Sequence, residues 1–288
     1  MRNNTWQENL PLDYFLLVVV LSIPFWLMGG SKLPLPINLP ASAVTTFVPA
    51  IAAGILTYRR SGKMGVKEFL KKAVDFKKVK NKLWYLPALF LAPAIYLASY
   101  GVMRLTGLPL PDPIIIPPLM VPAFFIMFLI GDTGEELGWS GYALDPMQKR
   151  WGAVKAGLIL GAFWAIYHSV TFVQTRHPAS WIVWQCIKTV GMRMVLVWIY
   201  NKTGKSVAAT NLYHVTDNVS AFLFPNYGSH YSPMVTGILT GVVALVVFGW
   251  GRALKSPQRH GEHKVLEARR GQDELDNKTT DLWRRPCL

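Results

Sequence analysis

Between Leu12 and Trp250 the chain returns eight times to an apolar run of about the length that crosses a bilayer. Nothing else in the sequence limits the fold so tightly. A hydrocarbon core of about 30 Å takes roughly 20 residues of α-helix, and a segment inside it must satisfy its own backbone. The runs are Leu12 to Met28, Pro40 to Tyr58, Leu83 to Met103, one starting near Pro118, Gly152 to Phe172, Trp181 to Tyr200, Ser206 to Phe224 and Pro233 to Trp250. Hydrophobic residues make up 51% of the chain and charged residues 16%, which excludes an ordinary soluble domain. The expected fold is an all-α polytopic integral membrane protein of about eight transmembrane helices. A transmembrane helical domain is expected over residues 1–253 and a charged tail over 254–288.

The net charge of +14 would suggest nucleic acid in a soluble chain. Here the basic residues fall between the runs, so membrane lipids are the expected partner and nucleic acid is not. Lys63, Lys67, Lys71, Lys72, Lys77, Lys78, Lys80 and Lys82 follow the second run, with only Glu68 and Asp75 against them, which reads as a solvated loop on an anionic leaflet. Placing this loop in the cytoplasm and alternating puts the other basic connections and both termini inside. The loops near 31–39, 104–117, 173–180 and 225–232, poor in lysine and arginine, fall outside. The first run lacks a basic n-region and a small-residue cleavage site, so a cleaved signal peptide is not expected. The expected location is a bacterial plasma (inner) membrane. Cys186 and Cys287 suggest neither a disulfide framework nor a CxxC metal site.

Against this apolar background the ionisable residues inside the runs stand out. Pro118 to Ile130 is almost wholly apolar, and then Asp132, Glu135 and Glu136 arrive within five positions. A carboxylate at membrane depth costs about 2.5–3.5 kcal/mol on insertion scales, so it is expected to have a partner or a task. The fifth run carries Trp164 and His168, and the seventh carries His214 and Asn218. At about 1.5 Å per residue, Glu135, His168 and His214 all lie inside the apolar layer. Residues four apart share a helix face, so His214 pairs with Asn218, Glu135 with Trp139, and Trp164 forms a plate below His168. Glu135 and Glu136 are adjacent and point about 100° apart, so one faces a cavity and the other needs a counter-ion.

These residue types fit amide hydrolysis. A buried carboxylate activates water, and His and Asn supply donors where negative charge develops. Three readings stay open on the residues alone. The first is a glutamate-activated water. The second takes Gly138-Trp139-Ser140-Gly141 as a GxSG nucleophile motif, a rhomboid-like serine protease with His214 as the base of Ser140. The third is a non-catalytic membrane protein with an immunity or scaffold role. If zinc takes part, its candidate ligands are Glu135, His168 and His214, although HExxH is absent.

The series Glu135-Glu136-x-x-Trp139, Trp164-x-x-x-His168 and His214-x-x-x-Asn218 resembles the CPBP (Abi) family of intramembrane proteases, which includes the type II CAAX prenyl endopeptidases. The flanks Trp139-x-Gly141-Tyr142-Ala143-Leu144-x-Pro146 and Trp198 to Gly204 agree, and the resemblance covers about residues 118–220. It implies a protease acting on a membrane-associated protein or peptide, lipidated or not. It implies Glu135 as the base, His168 as a holder of the water, and His214 and Asn218 as oxyanion donors. The family pattern pairs Glu136 with an arginine four residues on, and this chain has Ser140 there. The sixth run carries the cations Lys188 and Arg193, and Arg193 lies at a depth comparable to Glu136. Arg193 is therefore expected to supply from the sixth run the charge that the pattern supplies within the fourth.

Overall fold

The computed structural model describes residues 11–29 and 41–251. The loop near 31–39, Cys287 and the tail 254–288 lie outside the described residues. The chain divides into two units, residues 1–245 and 246–288, and the second is described only over its first residues, which are helical. Among the described residues the structure is all-α. Its helices are α1 (Leu12–Leu27), α2 (Val48–Leu70), α3 (Tyr85–Leu105), α4 (Met120–Gly138), α5 (Leu144–Gln174), α6 (Ala179–Lys202), α7 (Val207–Leu223) and α8 (Pro233–Gly251). Three helical stretches are long and apolar enough to cross a membrane, Lys82–Leu105, Met120–Gln174 and Ala179–Lys202. Leu12–Leu27 and Pro233–Gly249 are apolar but shorter.

Two breaks differ from the runs read in the sequence. The connection after the fourth run is not a loop. The helix passes through a π turn, Trp139–Ala143, into α5, which bends where Gly152 adopts φ 77°. Pro146 follows the π turn closely, and its missing N–H leaves a carbonyl of that turn without a backbone donor. Likewise α2 runs past Arg59-Arg60 and bends at Gly62, φ 62°. Each glycine takes a left-handed conformation that a side chain would oppose.

The bundle puts α4 between α2 and α7, α7 between α3 and α4, and α5 against α6. The first half of α4 turns Ile126 and Ile130 outward. Its second half, Asp132 and Gly134 to Gly138, is buried. Two pairs of small residues bring the backbones close. At Gly134 an added Cβ would lie 2.8 Å from the Thr46 carbonyl oxygen, and at Gly138 it would lie 2.4 Å from the Tyr14 hydroxyl. On α5, an added Cβ at Gly157 would meet Met194 Sδ at 2.8 Å and one at Gly161 would meet Arg193 Cβ at 3.2 Å. Glycines four apart present one groove along a helix, and a neighbouring helix can lie in it. These two grooves set α4 on the Thr46–Pro49 stretch that opens α2 and on Tyr14 of α1, and α5 on α6, which brings the polar residues of α4, α5, α6 and α7 to one place.

Candidate active site

The two adjacent glutamates of α4 diverge into different surroundings. Glu135 turns toward α5. Its Oε2 accepts from Trp164 Nε1 at 2.6 Å and from Trp139 Nε1 at 3.2 Å. Its Oε1 accepts from Thr46 Oγ1 at 3.3 Å and lies 3.5 Å from His168 Nε2. The expected i to i+4 relation of Glu135 and Trp139 is thus a hydrogen bond. His168 Nδ1 lies 3.0 Å from the Trp164 carbonyl, which only accepts, so Nδ1 carries a hydrogen. A lone pair on Nε2 facing a carboxylate oxygen is unfavourable. A hydrogen donor at that edge relieves the contact. The His168 side chain is 28% exposed while Glu135 is 5% exposed, so the pair stands at an open edge with the carboxylate on its inner side.

Glu136 turns the other way and is fully buried. Arg193, also fully buried, reaches it from α6. Its Nη1 donates to Oε2 at 3.1 Å, and its Nη2 lies 3.0 Å from Oε1 but off the hydrogen-bonding line. Ser140 Oγ donates to Oε2 from within the π turn, and His214 Nδ1 donates to Oε1 at 3.1 Å from α7. The cation expected from the sixth run is therefore present, and Ser140 keeps the i+4 contact as a hydroxyl. Neither Arg193 nor Lys188 extends to a headgroup layer. Lys188 Nζ pairs with Asp217, and both are buried.

Trp164 is the hub between the two glutamates. It does not stack below His168 as the spacing suggested; the rings meet at 88° with centroids 5.3 Å apart. Its face is occupied by Arg193 instead, whose guanidinium carbon lies 4.1 Å from the ring centre. Arg193 Nε has no hydrogen-bond partner, so the indole face is what that edge of the guanidinium meets.

His214 and Asn218 share one face of α7, as their spacing required, and that face meets Asp132. Asn218 Nδ2 lies 3.0 Å from both Asp132 oxygens, and His214 Nε2 lies 3.9 Å from Oδ1. Asp132 was read in the sequence as one of three acids but not as a site residue. The signal was available, because it stands four residues before Glu136 on the same helix face. Asp217 was also missed, and its signal was a lysine, Lys188, in the neighbouring apolar run.

The rival arrangements can be compared with these contacts. Ser140 and His214 address opposite oxygens of Glu136 and make no hydrogen bond to each other, and Ser140 is 1% exposed. Ser140 therefore has neither a base nor access. As zinc ligands, Glu135 and His168 come as a pair, while His214 Nε2, the nitrogen not bonded to Glu136, lies 3.9 Å from Asp132 Oδ1. Among the described residues no three His, Cys, Asp or Glu side chains gather as a metal would need. The residues do not fit a zinc site in this arrangement.

Fold and site define a class: an all-α membrane protein that holds carboxylates, histidines and an arginine in its interior. Residues 117–220 match the family model described as type II CAAX prenyl endopeptidase Rce1-like. A curated relative, CAAX prenyl protease 2 of Methanococcus maripaludis, is 26% identical over 263 residues, covering 82% of this chain and 93% of the relative. These two matches support the CPBP family for this chain, and with it a membrane protease. The matched segment contains Glu135, Glu136, His168, Arg193, His214 and Asn218.

Proposed function

We propose that the protein is an intramembrane endopeptidase that hydrolyses a peptide bond of a membrane-associated, lipidated protein or peptide with a water activated by Glu135. The observation that carries this reading is the 3.5 Å approach of His168 Nε2 to Glu135 Oε1 at the open edge of a buried wall. A water bound beside this pair, at its open side, gives its proton to Glu135 as its oxygen bonds to the scissile carbonyl carbon. The negative charge that develops on the carbonyl oxygen is met by His214 and Asn218, which Asp132 orients along one face of α7. The proton on Glu135 then passes to the leaving nitrogen as the carbon–nitrogen bond breaks. Arg193 neutralises Glu136, Glu136 accepts from His214 Nδ1, and His214 as an imidazolium donates through Nε2, which faces α4. Trp139 and Trp164 hold Glu135 by one oxygen and leave the other for the water.

The lipidated substrate rests on the description of the matching family and on the name of the relative. The basic loop after α2 faces the cytoplasm of a plasma membrane in this reading. Arg193 supplies Glu136 with the cation that position 140 lacks, which favours the catalytic reading over the non-catalytic one. Comparing membrane proteomes of cells carrying wild type or Glu135→Gln tests the proposal. Wild type should generate protein termini that Glu135→Gln does not, and identical sets of termini would overturn it. Labelling of Ser140 by a fluorophosphonate would instead favour the serine mechanism.

A further inference from the structure

The segment between α2 and α3 is the most basic part of the described chain, yet its residues do not all face water. Lys71, Lys77, Lys78, Lys80 and Lys82 are exposed, while Lys72 and Asp75 turn inward. Phe69 and Val79, both buried, pin the two ends of the turn-rich stretch between them. No residue pattern separates Lys72 from the other lysines.

Lys72 Nζ donates to the carbonyl of Gly141 at 2.6 Å, inside the π turn that ends α4. In a π turn a carbonyl pairs with the N–H five residues on, and for Gly141 that residue is Pro146, which has none. Lys72 supplies the missing donor. Its burial lowers the Lys72 pKa, in keeping with an ammonium drawn out of water. Three residues later, Asp75 caps α7. Its Oδ1 accepts from Ser206 Oγ at 2.8 Å and from the Ala208 N–H at 3.0 Å, and its Oδ2 accepts from the Val207 N–H at 3.3 Å. A carboxylate at a helix N-terminus satisfies open amides and meets the positive end of the dipole.

The two anchor points adjoin. An added Cβ on Gly141 would lie 3.4 Å from Val207 Cγ2 and 3.7 Å from Lys72 Cδ. One short segment thus holds the end of the helix that carries Asp132, Glu135 and Glu136 and the start of the helix that carries His214 and Asn218. We propose that Lys72 and Asp75 are positioning residues, a clamp across the loop-side ends of α4 and α7 that sets the Glu136–His214 and Asp132–Asn218 contacts. Neither residue touches the reacting groups, and the clamp acts only through the seam between the two helices. Its kinetic consequence rests on the reading of the site given above.

The test uses the full chain in lipid nanodiscs, as wild type, Lys72→Met, Lys72→Arg and Asp75→Ala. Hydrogen–deuterium exchange is followed over residues 139–144 and 206–214. Turnover is followed with a farnesylated, internally quenched peptide ending in a CaaX sequence. Lys72→Met and Asp75→Ala should each speed exchange in both segments, because loosening one anchor frees the seam. Each should lower kcat by about tenfold, the scale of a modest misplacement of reacting groups, with KM nearly unchanged. Lys72→Arg should restore both. Exchange that rises only in the segment each residue touches, or a kcat that stays at the wild-type value, would overturn the clamp. If wild type itself does not cleave the peptide, that failure belongs to the proposed activity, and the exchange result alone decides the clamp. Should Asp75→Ala fail to fold, Asp75→Asn takes its place with the same expected outcomes.

Discussion

Arg193 lies with its guanidinium carbon 4.1 Å from the centre of the Trp164 indole ring, and the same indole donates its N–H to Glu135 at 2.6 Å. The counter-ion of one glutamate thus rests on the side chain that holds the other. The adjacent acids point apart, and Trp164 is what joins their surroundings again. Charge neutralisation on the α6 side and carboxylate placement on the α5 side are therefore coupled through a single ring.

The first prediction concerns this charge. Arg193→Met leaves Glu136 buried without its cation, and removal of one partner from a buried pair costs about 3–5 kcal/mol. Thermal unfolding in detergent should show a large loss. Ser140→Arg in the same chain should recover part of it, since position 140 already contacts Glu136. An unchanged melting temperature for Arg193→Met would show that Glu136 does not depend on this pair.

The indole N–H is a second point of attack. Trp164→Phe keeps an aromatic face under Arg193 but removes the shorter of the two indole hydrogen bonds to Glu135. The lost bond to a carboxylate should cost about 1.5–3 kcal/mol. Trp139→Phe removes the longer bond and should cost less. Stability measurements that rank the two variants in the opposite order would contradict the role given to Trp164.

Close helix approach gives a third prediction. Gly138→Ala places a methyl 2.4 Å from the Tyr14 hydroxyl and 2.5 Å from Pro49, so α4 must shift away from α2. Overpacking of this kind costs about 1–3 kcal/mol. Gly241→Ala meets nothing within 4 Å and should be near neutral, which makes it the control. Equal melting temperatures for the two variants would show that the groove on α4 does not set the packing.

Much of this was legible in the sequence, for identifiable reasons. Apolar runs mark helices in lipid because nothing else satisfies the backbone there. The same economy exposes buried charges, so Glu136 pointed to Arg193 once Ser140 stood at the family position. Four-residue spacing correctly put His214 and Asn218 on one face. Spacing does not report which side of a ring a neighbour takes, and so Trp164 was assigned to His168 when its face belongs to Arg193. The clamp was illegible for a different reason: the acceptor of Lys72 is a backbone carbonyl, freed by a π turn that no side-chain pattern announces. The break read after Lys149-Arg150 falls at Gly152, where the backbone leaves the helical region.

Metal dependence is a fourth point. Among the described residues the candidate ligands Glu135, His168 and His214 do not converge on one point. Turnover of the farnesylated peptide should therefore survive exhaustive chelation in protein shown free of zinc by elemental analysis. Loss of turnover that returns on adding zinc would mean that the site rearranges around an ion.

The central claim is that Glu135 activates the water. The most direct measurement compares purified wild type, Glu135→Gln and Glu136→Gln for single-turnover cleavage of the farnesylated peptide, each checked for an unchanged fold. Removing a general base lowers the rate by about 10²–10⁴-fold. The account predicts a loss on that scale for Glu135→Gln without loss of stability, and for Glu136→Gln a loss of stability first. Cleavage by Glu135→Gln at the wild-type rate would contradict it.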